Sequence, residues 1–332
     1  MSNSERSIKE AQGLKRFLSE VAIFALLLIM GAFMVDRFLT ENLKRYPVGD
    51  SGIWNEVFAG RVNSEVVVYG ASRALAHFDA RIMENGLGTT VYNLGINGHN
   101  FWLQYLRHSI LLKHNTKPKV IVLEISTNTL EKRKDLYDPV QFIPYMLNQP
   151  DVEASISSYE GFSYLDFHVP LFRYYGKVES LIRASIQFLS PSHYRPDRVK
   201  GYEGNDLAWS GGWERTKLGA KPSKVVFDPE TSRLFDSFLE ETRALGIKVV
   251  FVSTPMFIHA QQYTMNRSDV MTYFKEISKK YGIHYLDYSE DPMSSKSEYF
   301  YNATHMNKEG AELFTKRFVA DLKPLLTAAG VQ

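Results

Sequence analysis

The stretch Glu65-Val-Val-Val-Tyr-Gly-Ala-Ser72-Arg73 decides the fold of this chain. Its run of β-branched and aromatic residues predicts a short strand that is covered on both faces, as in a parallel sheet. Gly70 and Ala71 are small enough to let the chain turn sharply, which places the hydroxyl of Ser72 above the carboxyl end of the strand. The turn is not the Gly-x-Ser-x-Gly elbow of the α/β-hydrolases, because Ala74 occupies the position of the second glycine.

Strand and helix patterns alternate in the rest of the chain. We predict further strands at residues 90–94, 119–125, 248–253 and 284–287, and helices at 100–114, 228–245, 268–281 and from 307 onward. The pair Asp228-Pro229 supplies an N-cap and a proline at the first helical position. Strands that alternate with helices indicate a parallel sheet with helices on both faces. The predicted class is therefore α/β with three layers.

Residues 131–227 interrupt this alternation. The stretch is rich in Tyr, Phe, Pro and Gly and ends near Trp209 and Trp213. No linker separates it from the α/β pattern, so we predict an insertion within one domain. We expect it to lie over the C-terminal edge of the sheet, where open α/β sheets bind ligands. Its aromatic residues either stack on sugar rings or pack a small core of the insertion itself.

Composition narrows the function classes. The chain has 332 residues, of which 44% are hydrophobic, which is enough for the core of one large domain. With 39 basic and 37 acidic residues, the net charge of +2 argues against a nucleic-acid-binding protein. The absence of cysteine excludes disulfides, thiolate metal sites and a cysteine nucleophile. The sequence has no Gly-x-Gly-x-x-Gly after a strand and no Walker loop, so no nucleotide or metal cofactor is indicated.

The N-terminal region contains an apolar run. Residues 21–35 are uncharged, and with Phe17 and Leu18 the run approaches the roughly 20 residues that cross a bilayer as a helix. A cleaved signal peptide is the alternative, but the run is long for one and residues 33–36 offer no small-x-small cleavage site. A buried core helix is a third possibility, although the run is apolar on all faces. Four basic residues precede it and predict a cytoplasmic N-terminus: Arg6, Lys9, Lys15 and Arg16.

These features predict a cell-membrane protein with a single span and an extracytoplasmic domain. We expect a cytoplasmic tail at residues 1–16, a transmembrane signal anchor at 17–38, and a juxtamembrane connector at 39–60. The domain would occupy residues 61–326. Charged residues that begin with Asp36 are expected to be solvated, and the glycines at 49, 52 and 60 are expected to break regular structure.

Four motifs carry polar residues at predicted strand ends or before the last helix. They are Gly70-Ala-Ser72, Asn93-Leu-Gly95-Ile-Asn-Gly98, Ser126-Thr-Asn128 and Asn302-Ala-Thr-His305. A serine and a late histidine are the components of nucleophilic acyl chemistry. Glycines before a helix can present backbone N–H groups to an oxyanion, and a carboxamide can add a further donor. Taken singly, each motif is equally compatible with a turn, a cap or a structural histidine.

The order of these residues resembles the SGNH (GDSL-like) hydrolase superfamily, which is named for them. The resemblance covers roughly residues 64–128 and 228–325 and implies a flavodoxin-like SGNH fold. It makes Ser72 the nucleophile and first oxyanion donor, and His305 the general base. Gly95 would supply a second N–H, with Gly98 as the alternative, and Asn128 a side-chain donor.

The anchor narrows the resemblance to a membrane-tethered branch, similar to DltD and to the acetylation partners of membrane-bound O-acyltransferases. This branch implies a Ser72 acyl-enzyme that esterifies or deacylates a cell-surface or secreted polysaccharide beside a membrane-bound O-acyltransferase partner. Candidate substrate-binding residues are Arg73, Asn97, Trp209 and Trp213.

The sequence departs from the family pattern at one position. The pattern is Asp-x-x-His, and here Asn302 replaces the aspartate that orients the imidazole and stabilises the imidazolium. In a serine protease such a change costs on the order of 10⁴ in kcat. Three alternatives follow from Asn302. Another carboxylate (Asp287, Asp291 or Glu298) orients the histidine, or the site works as a Ser-His dyad. In the third, the protein has weak catalytic activity or only binds its ligand. The alternatives to an acyltransferase are thus a scaffold protein for a glycan or membrane partner, and a secreted esterase.

Overall fold

A five-stranded parallel sheet forms the centre of the molecule. The computed structural model describes residues 3–211 and 221–327. The strands are β1 (Val66–Tyr69), β2 (Val91–Asn93), β3 (Val120–Glu124), β4 (Lys248–Ser253) and β5 (His284–Asp287). Their order is β2-β1-β3-β4-β5, and all four pairings are parallel. This is the flavodoxin-like order, and it confirms the predicted fold class.

The helices follow the predicted alternation. In chain order they are α1 (Asn3–Leu43), α2 (Gly49–Phe58), α3 (Ser72–His77), α4 (Ala80–Leu87), α5 (Phe101–His114), α6 (Pro150–Ile156), α7 (Tyr164–His168), α8 (Val178–Leu189), α9 (Pro229–Ala244), α10 (Ile258–Gln261), α11 (Arg267–Tyr281) and α12 (Lys308–Thr327). Short 3-10 helices span Pro139–Tyr145, Phe172–Tyr174, Pro292–Ser295 and Ser297–Tyr299. Asp228 caps α9 by accepting a hydrogen bond from the Thr231 N–H, as its sequence position predicts.

Each face of the sheet packs against its own set of helices. Alternate residues of β1 point to opposite sides, so Val67 and Tyr69 join one buried cluster while Val66 and Val68 join the other. The first cluster includes residues of α2, α5, α9 and α11, and the second includes residues of α3, α4 and α12. These two cores fix the sheet, so its carboxyl edge is a rigid platform for the loops that follow β1, β2 and β3.

Helix α1 has two parts with different surroundings. Among the described residues it is the one helix long and apolar enough to cross a membrane, over Gln12–Leu43. The prediction that Asp36 is solvated is wrong, because its side chain is buried and pairs with Arg173 at 2.7 Å. Arg173 also donates to Thr40, and the Leu171 N–H donates to Asp36. The end of α1 is therefore fastened to the insertion by charged hydrogen bonds.

The segment at residues 39–60 packs inside the domain rather than forming an exposed connector. Helix α2 begins at Gly49, and its Trp54 is fully buried. The Trp54 indole N–H donates to Gln141 of the insertion at 2.8 Å. Apolar side chains of α2 and the insertion belong to one buried cluster, because both cover the same face of the sheet. The body of the insertion thus packs beside α1, α2 and α5, and residues near its two ends reach the carboxyl edge.

Candidate active site

Ser72 lies on a turn that requires glycine at position 70. Gly70 has a φ of +147°, and a Cβ atom there would lie 2.6 Å from the Cβ of Ala74 and 2.7 Å from that of Glu124. The chain can therefore leave β1 and enter α3 within two residues only if residue 70 has no side chain. Ser72 is the first residue of α3, where backbone N–H groups have no partner within the helix. Its N–H and hydroxyl are both available above the sheet.

His305 meets Ser72 across the sheet edge. The imidazole Nε2 lies 2.7 Å from the Ser72 Oγ, although the two residues are 233 positions apart. Ser72 follows β1, while His305 lies in the loop between β5 and α12. The short distance is within the range of a hydrogen bond between a nucleophile and its base. The structure thus brings together the two residues that the sequence singled out.

Asn302 orients the imidazole through its carbonyl oxygen. The Asn302 Oδ1 accepts hydrogen bonds from the backbone N–H groups of Thr304 and His305, each at 3.0 Å. Because backbone N–H groups can only donate, the atom they meet must be the oxygen of the amide. The same Oδ1 lies 3.1 Å from the His305 Nδ1. Nδ1 therefore carries the proton, which leaves Nε2 free to accept the proton of Ser72.

The other carboxylates considered from the sequence do not contact the imidazole. Asp287 lies 3.2 Å from the Lys275 ammonium, Asp291 pairs with Arg317, and the Glu298 side chain is exposed. Among the described residues, the polar partners of the His305 ring are Ser72, Asn302 and Thr304. The site is thus a Ser-His-Asn arrangement with neutral support for the histidine.

The electrostatics favour a neutral histidine. Burial, followed by the nearby guanidinium of Arg73, lowers the pKa of His305 to about 4. At neutral pH the imidazole is unprotonated, which is the state a general base requires. The same surroundings make the imidazolium costly, and Asn302 brings no charge to offset that cost. The site therefore keeps the imidazole unprotonated at neutral pH and makes its protonation unfavourable.

The Gly95 N–H already has a hydrogen-bond partner. It donates to the Oδ1 of Asn93 at 3.0 Å, and Gly95 lines neither cavity that contains Ser72. A Cβ at Gly95 would lie 2.5 Å from the Leu75 nitrogen. The absence of a side chain at Gly95 therefore lets the turn after β2 pack closely against α3. Gly98, the alternative in the same motif, lines a cavity with Ser72 and has a φ of +71°. Of the two glycines, Gly98 is thus the one that lines a cavity with Ser72.

Asn128 presents a side-chain donor beside Ser72. The Ser126 hydroxyl donates to the Asn128 Oδ1 at 2.6 Å, which leaves the Nδ2 group to donate elsewhere. Asn128 follows β3 and lines both cavities that contain Ser72. The structure thus brings Asn128 and Ser72 to the same cavities, and the oxyanion role of Asn128 stays a prediction.

The four residues predicted to bind substrate do not all lie beside Ser72. Arg73 lines the cavity beside Ser72 and pairs with the buried Glu124 at 2.8 Å. Asn97 lies in the turn after β2 and lines neither cavity that contains Ser72. Trp209 also lies outside both, with its ring 4.7 Å from that of Phe257. Trp213 lies outside the described residues. Of the three that the structure describes, Arg73 is thus the one that lines a cavity with Ser72.

His77 supports the site and was not singled out in the sequence. Its Nε2 accepts a hydrogen bond from the Met306 N–H at 3.0 Å, and its Nδ1 donates to the Thr254 hydroxyl at 2.9 Å. Burial lowers the pKa of His77 well below its usual value, with smaller effects from His305 and Arg73. His77 therefore holds the residue next to His305 as a neutral acceptor. Its position five residues after Ser72 was the available signal.

Asn93 is a second supporting residue that the sequence did not reveal. Its Nδ2 donates to the carbonyl oxygens of Ala74 at 2.7 Å and Phe78 at 2.9 Å. These bonds tie α3 to the end of β2, while its Oδ1 accepts the Gly95 N–H. Because Asn93 is fully buried, all of its bonds are protected from water. It fixes the helix that carries Ser72.

Two cavities meet at Ser72. One, of about 360 Å³, is lined by Ser72, Arg73, Asn128, Arg267 and His305 among others; we call it the histidine-side cavity. The other, of about 580 Å³, is lined by Ser72, Gly98, His99, Asn128 and residues 226–229 among others; we call it the glycine-side cavity. An ester bound at Ser72 would have its two halves divided between them.

Comparisons with known proteins concern the fold. No protein-family model and no curated protein matches the sequence. The chain is similar to the solved structure of a G-D-S-L family lipolytic protein from Desulfitobacterium hafniense, with 11% identity, a TM-score of 0.40, and coverage of 78% of this chain and 99% of that one. It is also similar to a GDSL-like lipase from Bacteroides thetaiotaomicron, with 11% identity, a TM-score of 0.38, and coverage of 82% and 100%. An acetyl xylan esterase gives 13% identity, a TM-score of 0.37, and coverage of 77% and 98%.

Proposed function

We propose that the chain is a serine-dependent acyl-handling enzyme of the SGNH type, an esterase or O-acyltransferase. The observation that carries this proposal is the hydrogen-bond chain from Ser72 Oγ through His305 to Asn302 Oδ1. A nucleophile, a base and an orienting group within hydrogen-bond distance form the arrangement that acyl transfer needs. The donors at Gly98 and Asn128 add a place for the developing oxyanion.

The first half of the reaction acylates Ser72. The Oγ attacks the carbonyl carbon of an ester while the His305 Nε2 takes its proton. The carbonyl oxygen becomes an oxyanion that the N–H groups of Ser72 and Gly98 and the Asn128 Nδ2 stabilise. When the tetrahedral intermediate collapses, Nε2 returns the proton to the leaving alcohol, and an ester of Ser72 remains.

The second half releases the acyl group by the same steps in reverse order. His305 removes a proton from an incoming hydroxyl, which attacks the acyl carbon and displaces Ser72. Water gives hydrolysis, whereas a glycan hydroxyl gives acyl transfer, so one site serves both reactions. The neutral Asn302 makes the imidazolium of each step less stable than an aspartate would, and we expect modest turnover.

We further propose that α1 anchors the enzyme in a cell membrane, with the N-terminus in the cytoplasm and the domain outside. The apolar helix over Gln12–Leu43 supports a span, and basic residues before it support this orientation. The buried pair of Asp36 and Arg173 supports a rigid connection between the anchor and the domain. A fixed site beside a membrane suits transfer from a membrane-bound O-acyltransferase to a cell-surface or secreted polysaccharide.

A non-catalytic function is the second candidate, and Asn302 is the observation that favours it. A site that cannot stabilise an imidazolium by charge could retain the geometry of an ancestral enzyme for binding a glycan or a membrane partner. This candidate predicts that substitution of Ser72 leaves every measured activity unchanged.

The test compares the full-length protein in detergent micelles with three variants. We expect the wild type to release alcohol from a simple acetyl ester, while Ser72→Ala and His305→Ala reduce kcat to background. Ser109→Ala, a serine on α5 away from the site, is the matched control and should behave as wild type. Addition of a polysaccharide acceptor distinguishes hydrolysis from transfer. Equal activity in wild type and Ser72→Ala would refute the proposal.

A further inference from the structure

The histidine-side cavity contains a cation, Arg267, that has no carboxylate within ion-pair distance among the described residues; Asp287 and Glu290 act on it from farther away. Arg267, the first residue of α11, lines this cavity, and among the described residues its guanidinium forms no ion pair with a carboxylate. Its Nε donates to the Gln261 Oε1 at 3.2 Å. Among the described residues the structure shows no other hydrogen bond of this guanidinium, and an arginine offers five N–H groups in a fixed plane, so further donors can meet a ligand.

Arg267 is held in place by a buried residue. The Gln261 Nε2 donates to the carbonyl oxygens of Ser289 at 2.7 Å and Met256 at 3.2 Å. These two bonds fix the amide so that Oε1 faces the guanidinium. Arginine binds carboxylates and phosphates through its planar fork, and a fork that is already oriented loses less freedom when it binds.

Arg267 and Arg73 are the two arginines on the lining of the histidine-side cavity, and they differ in their contacts with carboxylates. The charge of Arg73 is already matched by Glu124, at 2.8 Å. Glu131 is the acidic residue on the lining, and it lies on the wall shared with the glycine-side cavity, where Lys132 and Arg133 also lie. Burial and then the like charge of Arg73 lower the pKa of Arg267, whereas Asp287 and Glu290 raise it from a distance, and the net change is a lowering. A bound anion would offset both lowering effects.

The proton transfers of the proposed reaction assign this cavity to one half of the ester. His305 must give its proton to the leaving oxygen, so the alcohol half lies on the side of His305. His305 and Thr304 line the histidine-side cavity, whereas Gly98 lines the glycine-side cavity. The acyl half therefore faces Gly98, and the alcohol half faces Arg267.

We propose that the enzyme acts on esters whose alcohol component carries an anionic group, a carboxylate or a phosphate, which Arg267 binds. This inference rests on the proposed function, since it takes Ser72 and His305 as the reacting groups. The inference narrows the class of acceptor. The hydroxyl that is acylated or released belongs to an acidic molecule and not to a neutral glycan. Arg267 is then a specificity-determining residue.

The experiment compares matched esters with the full-length protein in detergent micelles. The substrates are 4-acetoxybenzoate, its neutral methyl ester, 4-acetoxyphenyl phosphate, and mono-4-nitrophenyl succinate, in which the charge is on the acyl half. We expect the wild type to prefer an ester with an anionic alcohol by about 10- to 100-fold in kcat/KM, the range of a charge-assisted hydrogen bond. The kcat/KM values for 4-acetoxybenzoate and 4-acetoxyphenyl phosphate show whether the site prefers a carboxylate or a phosphate.

The variants test the role of Arg267. Arg267→Gln should reduce the ratio of kcat/KM for the anionic over the neutral ester to near one, mainly through KM, and Arg267→Lys should restore part of it. Arg243→Gln, which removes an exposed arginine at the end of α9, is the matched control and should keep the wild-type ratio.

The outcomes separate this inference from the proposed function. If no ester is turned over in a Ser72-dependent way, the proposed function fails and the inference fails with it. If turnover depends on Ser72 but Arg267→Gln keeps the wild-type ratio, the inference alone is overturned. A preference for the succinate ester would also overturn it, because the anion site would then lie on the acyl side.

Discussion

The Nδ1 of His305 lies 3.1 Å from the carbonyl Oδ1 of Asn302, so an amide occupies the position in which serine hydrolases use a carboxylate. In a serine protease the same replacement impairs catalysis because the imidazole adopts the wrong tautomer. Here two backbone N–H groups hold the amide oxygen toward the ring. The tautomer is therefore correct, and only the negative charge is missing.

Asn302→Asp should increase activity. The carboxylate keeps the two backbone hydrogen bonds and adds a charge that stabilises the imidazolium, so we expect kcat for a simple acetyl ester to rise about 10-fold or more. Asn302→Leu, of similar size but without an acceptor, should lower kcat because Nδ1 loses its partner. Steady-state kinetics on both variants measures this effect. If Asn302→Asp were slower than wild type while equally stable, the missing charge would not be what limits this site.

The pH dependence should report the low pKa of His305. The base form is required and the folded-state pKa is about 4, so activity should persist as pH falls through 6.5 and decline only near 4. Since an added negative charge favours the imidazolium, Asn302→Asp should move this acid limb to higher pH. Profiles of kcat/KM against pH measure the acid limb of the wild type and of Asn302→Asp. Tryptophan fluorescence verifies that each protein is folded at each pH. An acid limb near 6.5 in the wild type would contradict the buried, Arg73-influenced environment of His305.

Asn128→Ala should reduce kcat by about 10²- to 10³-fold, the usual cost of removing one oxyanion donor. Its Nδ2 is free to donate beside Ser72 because Ser126 holds its oxygen. Asn97→Ala provides the control, since this asparagine is on the neighbouring turn but lines neither cavity at Ser72. Equal losses of kcat in the two variants would argue against an oxyanion role for Asn128.

The pair between Asp36 and Arg173 should contribute strongly to stability. Both side chains are buried, and removing one partner leaves an uncompensated charge, which costs about 3–5 kcal/mol. We therefore expect Asp36→Asn and Arg173→Met to lower the free energy of unfolding by this amount, and Asp36→Leu combined with Arg173→Met to lower it less. Denaturant titration in detergent, followed by tryptophan fluorescence, gives these values. Single variants as stable as the wild type would mean that the anchor is not fastened in this way.

Much of the fold was predictable because its determinants are local. β4 and β5 have the predicted bounds, since each is a short apolar run between a glycine-ended helix and a polar loop. The meeting of Ser72 and Asn128 follows from the parallel sheet, whose strands end at one edge. His305 could be placed there because it lies between the last strand and the last helix.

The remaining features depend on contacts between distant residues. Asp36 is 137 positions from Arg173, and a charge after an apolar run gives no sign of a buried partner. Gly95 and Gly98 both precede α5, and only the side chain of Asn93 shows which N–H is already used. His77 likewise acquires its role from Met306, 229 positions later. A local sequence pattern cannot predict contacts between residues that are so far apart in the chain.

The central claim is that Ser72 is a nucleophile activated by His305. Labelling with a fluorophosphonate probe, followed by intact-mass and peptide mass spectrometry of the full-length protein, tests it most directly. We predict one adduct on Ser72 at neutral pH, no adduct in Ser72→Ala, and labelling at least 10²-fold slower in His305→Ala, the usual scale of general-base catalysis. An unlabelled wild type, or labelling at the same rate in His305→Ala, would contradict the account.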